Sequence, residues 1–244
     1  MKILIFGGTT EGRELSAELS KYGIDVTLSV ATEFGRNTAG NGTSVLVDRL
    51  GEEEIIDLLK QEVFDCVIDA THPYAILATQ NISFASRNAG IKYLRLKRPE
   101  GTEFLGATYV SDAAAAVEIL KKSDDKALLT IGSKELEPFT QMKEYHSRLF
   151  IRILPMPESL EKAIAFGFQG SNIICMQGPF DKEMNTATLK MIDAKYLVTK
   201  DSGDIGGLEA KVSAALELGC EVIIIKRPVE KEGYTFDEIL SLIR

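Results

Sequence analysis

The stretch KILIFGGTTEGREL, Lys2 to Leu15, constrains this chain more than any other segment. A strand-forming run enters a Gly-Gly-Thr-Thr-Glu-Gly turn and leaves it as a helix. Backbone N–H groups at such a helix start point outward, and the helix dipole favours an anion there. Glycines let the backbone approach a phosphate with no Cβ in the way. The dinucleotide fingerprint is G-x-G-x-x-G. Gly7 and Gly12 fill its outer positions, Thr9 takes the middle one, and Gly8 adjoins it. Gly7, Gly8, Thr9, Thr10, Glu11 and Gly12 are therefore candidate cofactor-binding residues. The competing reading is a tight turn and nothing more.

NAD sites often carry an acid at the end of the second strand for the ribose hydroxyls. Here that strand is DVTLSV, followed by ATEFGR. Ser29 and Thr32 offer neutral hydroxyls, and Arg13 and Arg36 are placed to meet a 2′-phosphate. Glu33 dissents, at about the spacing an NAD acid takes. The balance favours NADPH, with NADH left open.

Beyond the opening turn, Val- and Ile-rich runs alternate with helical spacing along the whole chain. Strands are expected at Asp25–Val30, Thr43–Val47, Phe64–Thr71 and Ile91–Leu96, and again at Lys126–Gly132, Arg148–Leu154, Asn172–Gly178, Lys195–Lys200 and Glu221–Lys226. Runs without clean polar alternation suit a parallel sheet covered on both faces, and the strand–helix rhythm indicates βαβ units. One half closes on LRLKRP and the other on IIIKRP. The expected class is α/β with two Rossmann-like lobes of mainly parallel sheet, residues 1–110 and 111–244, the boundary falling near Gly106–Lys126.

Composition narrows the partners. The formal net charge is −8, which disfavours nucleic acid or an acidic membrane surface as a general partner. No apolar run approaches the roughly 20 residues of a membrane span. A strand following Met1 directly leaves no room for a signal peptide, so a cytoplasmic location is expected. Cys66, Cys175 and Cys220 lie in or beside apolar runs, with no CxxC and no neighbouring His. They read as buried small hydrophobes, and no metal site is expected.

Other loops follow strand ends, the edge where open α/β sheets bind ligands. DATHPYA, Asp69 to Ala75, carries His72 and Tyr74, the candidate proton donors, beside Thr71 on the cofactor side; shaping the turn is the competing role. TKDSGDIGG offers a second anion nest, and its Lys200, Ser202 and Gly203 join the candidate cofactor-binding residues. IGSKEL brings Lys134, and MQGPF makes a fourth turn. His146, in KEYHSR, reads as exposed. The Y-x-x-x-K spacing of Tyr93 and Lys97 falls on a strand, not on the helix that a short-chain dehydrogenase pair needs.

Together ILIFGGTTEGREL, VATEFG, DATHPYA, YLRLKRP, TIGSKEL, RILP, MQGPF and VTKDSGDIGG resemble, in order and over almost the whole chain, the precorrin-6A reductases of cobalamin biosynthesis, including the cobalt-precorrin-6A form. The resemblance implies an enzyme that uses a reduced nicotinamide cofactor to saturate one double bond of a corrin precursor. It also implies two Rossmann-like lobes with cofactor and substrate in the cleft between them. Such a macrocycle bears acetate and propionate arms, so an acidic protein must meet it with local positive charge. Arg95, Lys97, Arg98, Lys134, Arg152, Lys200, Lys226 and Arg227 fall at or near strand ends. Of these, Lys97, Arg98, Lys134, Arg152 and Lys200 are the substrate-binding candidates. The partner is then a small tetrapyrrole, and the chain a monomer or small homo-oligomer. Two rivals remain: a nucleotide-binding regulator without catalysis, and a transferase or synthase acting on another tetrapyrrole.

Overall fold

The computed structural model describes residues 1–31, 35–36, 44–97, 103–202, 207–228 and 232–244. The chain divides into two compact units, Met1–Glu100 with Pro228–Arg244, and Gly101–Arg227.

The first unit runs β1 (Lys2–Phe6), α1 (Thr10–Lys21), β2 (Asp25–Val30), β3 (Ser44–Val47), α2 (Glu52–Gln61), β4 (Cys66–Asp69), α3 (Ile76–Asn88) and β5 (Lys92–Arg95). Its sheet is ordered β3-β2-β1-β4-β5, all parallel. Side chains of β1 alternate between two apolar layers. Ile3 and Ile5 pack with Leu15 and Leu19 of α1, while Leu4 and Phe6 pack with Ile55 and Leu59 of α2 and Ile82 of α3. Both faces are covered, which explains why the strands read as continuous apolar runs.

The second unit runs β6 (Ala107–Val110), α4 (Ala113–Leu120), β7 (Ala127–Thr130), two short 3₁₀ turns over Ser133–Glu135 and Glu137–Gln141, α5 (Tyr145–Arg148), β8 (Leu149–Ile153), α6 (Pro157–Ala165), β9 (Ile173–Cys175), α7 (Lys182–Ile192), β10 (Tyr196–Lys200), α8 (Leu208–Glu217) and β11 (Glu221–Ile225). Its order is β6-β11-β10-β7-β8-β9, again parallel throughout. Read from β9, this repeats the first sheet's order with one strand added. The α/β class with two mainly parallel sheets is thus the one the sequence implies.

The units exchange their ends relative to a simple cut at residue 110. β6 joins the second sheet beside β11. The last segment returns to the first unit, where Tyr234 pairs in parallel with Leu96 and α9 (Phe236–Ile243) lays Ile239, Leu240 and Ile243 into the core beside α1. Thr235 and Glu238 start α9 with a reciprocal capping box. Sequence order does not say which open sheet edge a segment joins, and both exchanged pieces are edge or capping elements.

Cys66 and Cys220 are buried, as expected, but Cys175 is exposed. It ends β9, the short edge strand of its sheet, so one side of it has no neighbouring strand. Ile239 is fully buried. Replacing it with Ala should lower stability by about 2–5 kcal/mol, seen as a shift of the denaturant midpoint at constant slope. A change under about 0.5 kcal/mol would show that α9 is no part of the core.

Candidate functional site

In both sheets the order reverses at one place, between β1 and β4 in the first and between β7 and β10 in the second. Loops leaving strands at such a switch point form the ligand crevice of open α/β sheets.

At the first switch point the glycine turn is built tightly. Gly7 donates its amide to the Ser29 carbonyl at 2.8 Å, and a Cβ there would lie 2.6 Å from Leu28 Cδ1. Gly8 has φ +101°, a conformation other residues rarely adopt. A Cβ on Gly12 would lie 3.0 Å from Ala70 Cβ and 3.3 Å from Gly7 Cα, so glycine lets α1 start this close to the end of β4 without displacing its neighbours. Thr9 explains the departure from the fingerprint. It caps α1, accepting from the Gly12 amide at 3.1 Å, and donates to the Ala70 carbonyl at 2.9 Å. Its hydroxyl ties the turn across the switch point. The amides of Gly8, Thr9 and Thr10 meet no acceptor among the described residues. Arg13 donates through Nη2 to Thr10 Oγ1 at 2.9 Å, which places a cation over the same helix start. Glu11 lies in the first turn of α1.

Ser29 is 4% exposed, so the sheet rather than the surface holds its side chain. Arg36 is exposed. Thr32 and Glu33 lie outside the described residues, as do Arg98 and Gly203.

Across the switch point a hydrogen-bonded network joins Asp69, Thr71, Tyr93 and Arg95. Asp69 is fully buried at the end of β4. Its carboxylate accepts from Arg95 Nη1 at 2.7 Å, from the Thr71 amide at 3.0 Å and hydroxyl at 2.7 Å, and from the Tyr93 hydroxyl at 3.0 Å. Arg95 is 7% exposed and sits opposite Asp69 in strand register. It is therefore a buried ion-pair partner, and not part of an open cationic surface. The signal was present as an acid and an arginine at matching ends of neighbouring strands. Thr71 is drawn into the same network. Tyr93 serves it too, from a strand, consistent with setting the Y-x-x-x-K spacing aside.

His72 and Tyr74 occupy the next turn, with Pro73 buried between them. Their rings stack at 5.4 Å and 21°. His72 accepts from the Ala75 amide through its carbonyl at 2.7 Å, and Nδ1 faces the Tyr74 amide at 3.4 Å. Both side chains are half-buried. His146 is exposed, as expected.

At the second switch point Lys200 donates to Glu135 at 3.3 Å, bridging the loops after β10 and β7. Burial lowers the Lys200 pKa and Glu135 opposes that shift. Arg227 holds Asp201 by two bonds of 2.8 Å, the counterpart of Arg95 on Asp69. Lys97 is half-buried in the first unit, and its amide donates to the Tyr234 carbonyl at 2.8 Å. Lys134 is exposed, and exposed Lys226 lies over the Tyr109 ring. Arg152 is buried, donating to Asn185 Oδ1 at 2.9 Å and lying over the Phe180 ring at 4.5 Å. It lines a cavity of 330 Å³ with Lys211, a residue the sequence did not single out. Ser202 faces that lysine, its Oγ 3.5 Å from Nζ.

The family model for precorrin-6x reductase CbiJ/CobK matches residues 2–244. The chain belongs to this family. It is 34% identical to the cobalt-precorrin-6A reductase of Priestia megaterium, covering 99% of this chain and 97% of that one. The cobalt-precorrin-6A reductase of Salmonella typhimurium is also 34% identical, covering 98% and 91%. The precorrin-6A reductase of Rhodobacter capsulatus is 30% identical, covering 93% and 88%. A solved structure of CobK precorrin-6A reductase superposes with a TM-score of 0.77 at 26% identity, covering 100% of this chain and 96% of that one. No helix among the described residues is long and apolar enough to cross a membrane.

Asp69→Ala strands a buried guanidinium and should cost about 3–5 kcal/mol, read by thermal or denaturant unfolding. Asp69→Asn keeps the acceptor and should cost less. Equal, near-zero losses for both would show that the pair carries no structural burden.

Proposed function

We propose that this chain is a nicotinamide-dependent reductase that saturates one carbon–carbon double bond of the cobalt-precorrin-6A or precorrin-6A macrocycle. The observation that carries this is the start of α1, with three adjacent amides lacking acceptors among the described residues, in a chain whose family is named for reduction. The cofactor fits what is present. Gly7 and Gly12 let the turn pack close against Leu28 and Ala70, Gly8 leaves open space where a Cβ would stand, and the amides are donors matched to pyrophosphate oxygens.

In this reading the amides of Gly8, Thr9 and Thr10 hold the pyrophosphate, with Arg13 adding charge. Arg36 supports NADPH over NADH, since the ribose end of a dinucleotide lies past β2 in folds of this kind. When bound, the reduced nicotinamide supplies a hydride; no metal or flavin has to be invoked for that step. The residues of the chain position the two reactants and, in this proposal, deliver a proton. In this reading His72 or Tyr74 delivers it, from the loop that follows β4. Their stacked rings and the rigid His-Pro-Tyr turn limit how far either can swing.

The test is the loss of nicotinamide absorbance when the purified chain meets cobalt-precorrin-6A, and separately precorrin-6A, with NADPH or NADH. Oxidation that requires the macrocycle and proceeds at lower KM with NADPH supports the reading. Cofactor binding without oxidation would replace it with a regulator, and macrocycle turnover indifferent to nicotinamide would replace it with a different enzyme class. His72→Ala should leave the fold intact and lower kcat about a hundredfold; unchanged kcat at saturating substrate removes His72 from the chemistry.

A further inference from the structure

Among the described residues, two buried cations of the second unit stand apart from the rest. Arg95 has Asp69, Arg227 has Asp201 and Lys200 has Glu135. Buried Arg148 is surrounded by the carbonyls of Leu120, Ser123 and Asp125. Arg152 and Lys211, each 8% exposed, pair with no carboxylate among the described residues. Arg152 has one side-chain oxygen, from Asn185, and Lys211 has the distant hydroxyl of Ser202. Each raises the cost of charging the other. Burial, then the Arg152 charge, pulls Lys211 down to about 8, and burial pulls Arg152 to about 10.

Two like charges withdrawn from water without an anion are expensive, and a chain keeps such a pair where function requires it. Both face the same cavity of 330 Å³. Its other walls include Leu154, Met176 and Phe180, which are apolar. That volume lies at the bottom of the range for ligand pockets, about 300–1,000 Å³. It suits a short aliphatic chain ending in an anion better than a whole macrocycle. A methylene stem would lie along the apolar wall, and a carboxylate would meet the guanidinium and the ammonium together.

We propose that Arg152 and Lys211 form a carboxylate pocket that takes one acid side arm of the macrocyclic substrate. This rests on the reductase reading above, and it assigns Lys211 a substrate-binding role beside Arg152.

The experiment has two arms. The first measures the KM of the macrocycle and of NADPH for the full chain, Lys211→Met and Lys211→Arg. The second titrates glutarate, a short aliphatic dicarboxylate, into the same proteins by calorimetry at constant ionic strength, with no macrocycle present. Lys211→Met removes a buried charge and keeps the stem, so the fold should persist. The expected result is a macrocycle KM raised about tenfold or more in Lys211→Met, with the KM of NADPH unchanged and Lys211→Arg restoring most of the loss. Glutarate should bind the wild-type chain and Lys211→Arg but not Lys211→Met. An unchanged macrocycle KM, or glutarate binding that ignores the substitution, overturns the pocket. Should the wild-type chain oxidise no NADPH, the reductase reading fails; the glutarate arm then still judges the site, Lys211-dependent binding supporting an anion pocket and its absence overturning one.

Discussion

A helix whose first amides have no acceptor among the described residues is the constraint on which the first unit is arranged. Gly12, lacking a side chain, lets α1 start close to the end of β4, and Thr9 fastens the turn to the Ala70 carbonyl. Those two contacts aim the amides of Gly8, Thr9 and Thr10 outward from the switch point. The close approach of α1 to the sheet also fixes where Leu15 and Leu19 enter the core, and hence the groove that α9 fills. Packing and ligand geometry therefore share one cause.

The two units solve the same problem with similar parts. Each ties the strands beyond its switch point with an aspartate–arginine pair, Asp69 with Arg95 and Asp201 with Arg227. Each bridges its switch point from the loop of the central strand, by Thr9 to Ala70 in one unit and by Glu135 to Lys200 in the other. Among the described residues, only the first has the close-packed glycine turn, and only the second keeps a pair of buried cations without carboxylates. That asymmetry motivates giving the dinucleotide to the first unit and an acid group to the second.

Much of this was legible in the residues. The α/β class, the parallel sheets and the glycine turn follow from Val- and Ile-rich runs with glycine at their ends, since local chemistry determines them. The family resemblance carried by the strand-end motifs agrees with the family match. What the residues hid depends on tertiary pairing. Arg95 looks like any strand-end cation until β4 and β5 are set in register and Asp69 faces it. Cys175 looks buried until β9 proves to be an edge. The segment 228–244 carries its own capping box and apolar face, but nothing in it names the sheet it returns to. Lys211 was invisible for a similar reason: within LEAKVSAALE it reads as a solvated helix residue, and only the packing of α8 turns it inward.

The central claim is that the helix start near Gly8 grips the dinucleotide. A crystal structure of the chain with bound NADPH tests it most directly. The account predicts pyrophosphate oxygens within hydrogen-bond distance of the Gly8, Thr9 and Thr10 amides. A pyrophosphate seated elsewhere, on the second unit's strand-end loops for example, would contradict it.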